Sequence, residues 1–245
     1  MESQPTVEVK VWDVPTRIFH WVVVLLLVFQ VVTGKVGGEM MGWHATCGYA
    51  ILTLVVFRIA WGFVGSTHAR FASFIAGPGA TLRFARRLFS RQAVPQVGHN
   101  PLGGWNVIVL IVVLALQVAS GLFASDGAGN DGPWAGMVSV GTSAALSEFH
   151  RFNLKVVLVL SGLHVLAVAF HWLVKRENLV GSMFTGIQRV PASALRERRD
   201  SLRKSPRRRA ASREHASAYF AGPLRAVVTL AFSIVVAYLA SRGWR

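Results

Sequence analysis

Residues 150–178, HRFNLKVVLVLSGLHVLAVAFHWLVKREN, place His150, His164 and His171 in a run otherwise apolar enough for a bilayer. Ionisable side chains are costly there, and where they occur they face the protein interior and have a function. An α-helix turns about 100° and rises about 1.5 Å per residue, so fourteen residues return His164 to within about 40° of His150, about 21 Å along the axis. In a hydrocarbon core about 30 Å thick, the two imidazoles address the same neighbour at two depths. Two further histidines match those depths when successive helices alternate in direction. His44 opens the run GWHATCGYA on the side of His150, and His20 begins an earlier run on the side of His164. Two imidazole pairs across a helical bundle suit b-type haem, held by axial histidines.

The competing metal chemistries fit less well. Zinc asks for four compact ligands, commonly with Cys, Asp or Glu, and these runs hold no such set. The single cysteine, Cys47, excludes an intramolecular disulfide and reads as a small buried hydrophobe. Covalent c-type haem is excluded by the lack of C-x-x-C-H. His171 lies about 10 Å beyond His164 on nearly the same face, so periodicity alone allows either as the ligand. The one left over could meet a haem propionate, a quinone headgroup or water. His68, His99 and His215 fall in loops or in the basic tail and read as exposed and non-ligating.

A haem also brings two carboxylates. Arg58 follows His44 by fourteen residues, which places it toward the bundle interior at the depth of His164, and Arg17 stands at the mouth of the first run. Both could serve the haem at that depth, and Arg151 and Lys155 the other, although all four could simply snorkel to lipid headgroups. Gly34, Gly48, Gly121 and Gly162 sit where a flat macrocycle or a second helix could approach closely.

The elements that must position these residues are membrane helices. Of 245 residues 53% are hydrophobic and only 15% charged, with mean hydropathy +0.46, a balance that belongs to polytopic membrane proteins. Five apolar segments are predicted, at 18–33, 43–64, 105–124, 150–174 and 224–240, with no internal repeat evident. The first 17 residues are mixed and polar, with no cleavage signature, so the first segment reads as a retained helix. The last is apolar all round, which disfavours a helix lying on the surface. It is flanked by Arg225 and by Trp244 and Arg245 as interface anchors. The predicted fold is all-α: a four-helix transmembrane bundle binding two b haems, plus a fifth C-terminal transmembrane helix. In domain terms, 1–17 is a cytoplasmic N-terminus, 18–188 the di-haem domain, 189–223 a basic cytoplasmic linker and 224–245 the fifth helix.

The formal charge of +15 sets the topology, because Lys and Arg are retained on the cytoplasmic side. Residues 65–104 carry Arg70, Arg83, Arg86, Arg87 and Arg91 and no acid, whereas 125–149 carry Asp126, Asp131 and Glu148 and no base. Residues 189–213 hold ten Lys or Arg against Glu197 and Asp200. The expected arrangement is a multi-pass protein of a bacterial inner membrane with its N-terminus in the cytoplasm. The basic stretch lacks interleaved aromatics and adjoins a membrane domain. Anionic lipid, not nucleic acid, is therefore its expected partner.

The segments VWDVPTRIFHWVVVLLL around His20, GWHATCGYAILTLVVFRIAWGFVG around His44 and FHRFNLKVVLVLSGLHVLAVAFHWL around His150 and His164 resemble the bacterial cytochrome b561 family. That superfamily also includes the b-type subunit of nickel–iron hydrogenases. The W-D-x-P-x-R-x-x-H-W opening and the H-x13-H spacing carry the likeness, with GHNPLGGW and KRENLV resembling one branch, over roughly residues 8–190. The resemblance implies four helices with two b haems, ligand pairs His20–His164 and His44–His150, and His171 outside the ligand set. It also implies respiratory electron exchange between a quinone pool and a redox partner such as a c-type cytochrome. Alternatively the chain is the membrane anchor and electron conduit of a hydrogenase or other dehydrogenase, and a homodimer is compatible with either. A histidine-lined proton or metal transporter is the remaining competitor, and it requires no haem.

Overall fold

A computed structural model describes residues 5–87, 97–193 and 219–243. In chain order these form β1 (Thr6–Lys10), α1 (Val14–Val36), α2 (Met41–Val64), α3 (Phe71–Phe74) and α4 (Pro78–Arg87). There follow α5 (Pro101–Phe123), α6 (Val140–Leu173), α7 (Leu179–Thr185), β2 (Ile187–Pro191) and α8 (Pro223–Arg242). Five helices, α1, α2, α5, α6 and α8, are long and apolar enough to cross a membrane. The fold is therefore that of an all-α multi-pass membrane protein. Most of the basic linker, His215 and the anchors Trp244 and Arg245 lie outside the described residues.

Two features depart most from the sequence expectation. The fourth apolar segment was expected to begin at His150, but α6 starts ten residues earlier, at Val140. The reason is local: Ser139 caps the helix, its Oγ accepting the Thr142 amide at 3.2 Å. The first turns of α6 bury hydroxyls in place of hydrocarbon. Ser143 donates to Phe123 O at 2.8 Å and Ser147 to Ser125 O at 3.0 Å, so hydropathy does not register them. At about 1.5 Å per residue, 34 residues make about 51 Å, well beyond the hydrocarbon core. The second difference is the strand pair, since no sheet was expected from so apolar a chain.

One compact unit comprises Met1–Arg17, Gly62–Val107 and Val165–Gly222. Here β1 pairs antiparallel with β2, Thr6 opposite Pro191 and Lys10 opposite Ile187. Arg189 Nε donates to Glu8 Oε1 across the pair at 2.9 Å. The motif W-D-x-P-x-R lies just downstream. Asp13 caps α1 by accepting the Thr16 amide at 2.8 Å, and Pro15 sits in the first turn, where its missing N–H costs nothing. Arg17 Nη1 donates to the Phe184 carbonyl near the end of α7. Gly186 ends α7 at φ 82°, and a Cβ there would stand 2.7 Å from Trp12 O. Its carbonyl accepts from both Val11 N and Trp12 N. Only glycine meets both the left-handed backbone and the close approach.

His68 and His99 are not the exposed residues the sequence suggested. The His99 ring packs 4.7 Å from Trp12 and 4.6 Å from Phe74, centroid to centroid, and His68 is likewise half-buried. His171 pairs with Glu177, Nδ1 to Oε2 at 2.7 Å, across a turn in which Arg176 takes φ 59°. Thr67 N donates to Tyr219 O, Tyr219 N donates to Thr67 Oγ1 and Ala221 N to Ser66 Oγ, which ties the segment before α8 to the end of α2.

The other unit comprises Ile18–Trp61, Ile108–His164 and Pro223–Arg245. Its core gathers Val23 from α1, Ile51 and Val55 from α2, Val113 and Leu114 from α5 and Val157 from α6. The outward faces, such as Leu25, Val28, Leu163 and Val227, are exposed hydrocarbon, as suits lipid contact. α8 buries Thr229, Ser233 and Ala237, one small residue every four, the spacing that lets membrane helices approach closely. Gly243, just past α8, lies against Pro133 O. α8 therefore finishes at the end of the bundle where α5 finishes.

Candidate functional site

All four histidines singled out by spacing lie in this second unit, and the structure brings them together in two pairs. The His20 and His164 ring centroids are 6.3 Å apart, and those of His44 and His150 6.2 Å. These are the pairs the depth argument expected. The separation has a direct chemical meaning. Two metal–imidazole bonds of about 2.0–2.1 Å, plus about 1.1 Å from nitrogen to ring centre on each side, sum to about 6.3 Å. The centroid separations match the spacing of two imidazoles that would share one metal ion. No group of three or more His, Cys, Asp or Glu that could hold a metal ion occurs among the described residues.

The His44–His150 pair is the more fully built. His44 Nδ1 donates to Gln30 O at 3.2 Å and meets Thr33 Oγ1 at 3.2 Å. Thr33 Oγ1 spends its own proton on α1 carbonyls, with Phe29 O at 2.9 Å. On the other side His150 Nδ1 donates to Gln117 O at 2.9 Å and meets Ser120 Oγ at 3.2 Å, while Ser120 donates to Leu116 O. A carbonyl acceptor requires the proton on Nδ1, which leaves each Nε2 lone pair available for a metal. Both rings lie over glycine: a Cβ on Gly34 would stand 3.0 Å from His44 Cε1, and one on Gly121 3.0 Å from His150 Cε1.

These contacts disclose a repeat that the sequence reading missed. QVVTG at 30–34 and QVASG at 117–121 perform the same task, one for His44 and the other for His150. In the same register Arg58 stands fourteen residues after His44, as His164 stands fourteen after His150. The two helical hairpins α1–α2 and α5–α6 are thus alike at one depth and differ at the other. Five residues in a background of Val, Leu and Ala carry too little identity to be noticed without the contacts. Asn153 adds a tie in the second hairpin only, bonding Val113 O at 2.9 Å and Gln117 Oε1 at 2.7 Å; its counterpart in the first is Cys47.

At the other pair, His20 Nδ1 is buried and has no hydrogen-bond partner among the described residues, and the same holds for Thr16 Oγ1 one turn earlier. Arg58 is 2% exposed, a buried cation fourteen residues along α2 from His44. Arg17, expected beside a carboxylate, holds the Phe184 carbonyl, with its Nε buried and without an acceptor among the described residues. Arg151 is largely exposed and reaches Glu148 at 3.8 Å, and Lys155 is exposed. Gly162, expected as an approach point, faces open space. In the loop after α5, Asn130 and the Ala128 amide hold the Asp126 carboxyl below the usual carboxylate range, the Asn130 side chain contributing most.

The residues present fit haem b. They provide opposed imidazoles at bis-axial spacing, tautomers fixed at one pair, glycine openings beside the rings, and buried guanidinium nitrogens.

Comparison with known proteins agrees. A protein named "Probable Ni/Fe-hydrogenase B-type cytochrome subunit" from Rhizobium leguminosarum bv. viciae is 26% identical over 212 residues, covering 73% of this chain and 87% of its own. Proteins of the same name from Azotobacter vinelandii and Cupriavidus necator are 27% and 25% identical, covering 73% and 72% of this chain and 87% and 85% of their own. No solved structure matches significantly. The family profile described as prokaryotic cytochrome b561 matches residues 11–186, a span that contains all four paired histidines. The chain belongs to the prokaryotic cytochrome b561 family and is a membrane b-type cytochrome of electron transfer.

Proposed function

We propose that this chain holds two b haems, one between His20 and His164 and one between His44 and His150, and carries electrons between the quinone pool and a redox partner. The observation that carries this reading is the pair of centroid separations, 6.3 and 6.2 Å, each the width of one axially ligated iron. Haem b supplies a one-electron couple at its iron. The four imidazoles fix the two sites, and because each site has two axial ligands, neither leaves a coordination position for substrate. Arg58 and Arg17 are assigned to the carboxylates of the His20–His164 haem and Arg151 to those of the other. The relatives' names favour a nickel–iron hydrogenase, or a dehydrogenase of similar kind, over a soluble c-type cytochrome as the partner. The test is a pyridine haemochrome assay on the purified chain, together with its reduced-minus-oxidised spectrum. Two haem b per polypeptide are expected; one or none would overturn the reading.

The domain expected at 18–188 is then the di-haem domain, followed by a cytoplasmic linker and a fifth span. β1 pairs with β2, so both lie on one side of the membrane and an even number of spans separates them. α1, α2, α5 and α6 supply four. With the arginine-rich 65–104 segment inside, the N-terminus is cytoplasmic, the His44–His150 pair is the outer one, and α8 ends outside. Alkaline phosphatase fused after residue 245 is expected to be active and a fluorescent protein there dark. The reverse pattern would return α8 to the cytoplasmic face.

A further inference from the structure

The two imidazole pairs are alike in spacing and unlike in their surroundings, and the difference has a direction. At His44–His150 both Nδ1 protons are shared between a backbone carbonyl and a hydroxyl oxygen, those of Gln30 and Thr33 on one side and of Gln117 and Ser120 on the other. Such bonds raise the basicity of the opposite ring nitrogen, and a more basic axial ligand favours the ferric state. At His20 the buried Nδ1 has no acceptor among the described residues. Fourteen residues along α2 from His44, in the register that His164 occupies in the other hairpin, stands Arg58, 2% exposed. A buried positive charge favours the state with the additional electron. Both effects act in the same sense.

Resting on the two-haem reading, we propose that the His44–His150 site is the low-potential one and that Thr33 and Ser120 are the positioning residues that make it so. A single electron then moves downhill from that site to the His20–His164 site. One iron is oxidised as the other is reduced, and no atom or proton is transferred.

Potentiometric titration of the purified holoprotein, followed by optical spectroscopy and EPR, tests the assignment. Two one-electron waves are expected, and His44→Ala is expected to abolish the lower one. Thr33→Val and Ser120→Ala each remove one hydroxyl acceptor without touching haem. Each is expected to shift the ferric/ferrous ratio of the lower wave by up to about tenfold, about 59 mV for one electron, and to leave the upper wave in place. Thr33→Ser, which keeps the hydroxyl, restores the lower value. If His44→Ala abolishes the upper wave, or if both hydroxyl variants keep two haems at unchanged potentials, the proposal is overturned while the ligand pairs stand. A chain that binds no haem overturns the ligand pairs and this proposal together.

Discussion

Under the proposed two-haem reading, replacing His44 or His150 with alanine is expected to halve the bound haem, from two per chain to one, and His20→Ala or His164→Ala to remove the other. Each imidazole supplies half of one site's axial ligation, and its partner alone, opposite an empty space where the ring stood, cannot hold the macrocycle in a bis-axial position. The paired substitution His20→Ala with His44→Ala leaves none. If the proposed path uses both sites, electron transfer from a donor to quinone is expected to fall to background in every case. His171→Ala keeps both haems, since that ring is engaged by Glu177 at 2.7 Å. Haemochrome assay and low-spin EPR signals count the survivors. Loss of a haem in His171→Ala with its retention in His164→Ala would reverse the assignment along α6.

The second large effect comes from a residue without a side chain. Gly121→Leu forces a Cβ to within 3.0 Å of His150 Cε1 and 3.3 Å of Nδ1, so the imidazole must leave the position from which it bonds Gln117 and Ser120. The expected result is loss of one haem per chain, as severe as deleting His150. Gly34→Leu acts in the same way through His44. Alanine at either position favours helix by about 1 kcal/mol and still crowds the ring, so haem occupancy drops without loss of helix. Gly162→Leu, where a Cβ would meet nothing within 4 Å, is the control and retains both haems. Circular dichroism separates a displaced ligand from a misfolded bundle. Full haem content in Gly121→Leu would mean that the ring does not sit where the contacts place it.

What the sequence reveals of this arrangement follows from range. Apolar runs and fourteen-residue spacings are local to one helix, and from them the spans and the two histidine pairs could be read. The start of α6 could not, because Ser143 bonds the last carbonyl of α5 and Ser147 a carbonyl of the loop that follows, while hydropathy scores both residues as polar. β1 was hidden because five residues that alternate on an exposed strand say nothing of a partner 181 positions away, the separation of Arg189 and Glu8. Arg17 was legible as a cation and not as the donor to Phe184, since that carbonyl belongs to a segment 167 residues on. The likeness of QVVTG and QVASG acquired meaning only through the rings they support.

The β1–β2 pair also sets a clock. Residues 6–10 leave the ribosome first, and their partners at 187–191 follow only after α1, α2, α5 and α6 have been made. At about 5–20 residues per second, the N-terminal strand waits on the order of ten to forty seconds with its edge unpaired. In that interval the first two helices can enter the bilayer and meet, but their histidines still lack His150 and His164. On the proposed ligand pairs the last histidine, His164, is made before residues 187–191, so both pairs can be complete while the N-terminal strand still waits for its partner.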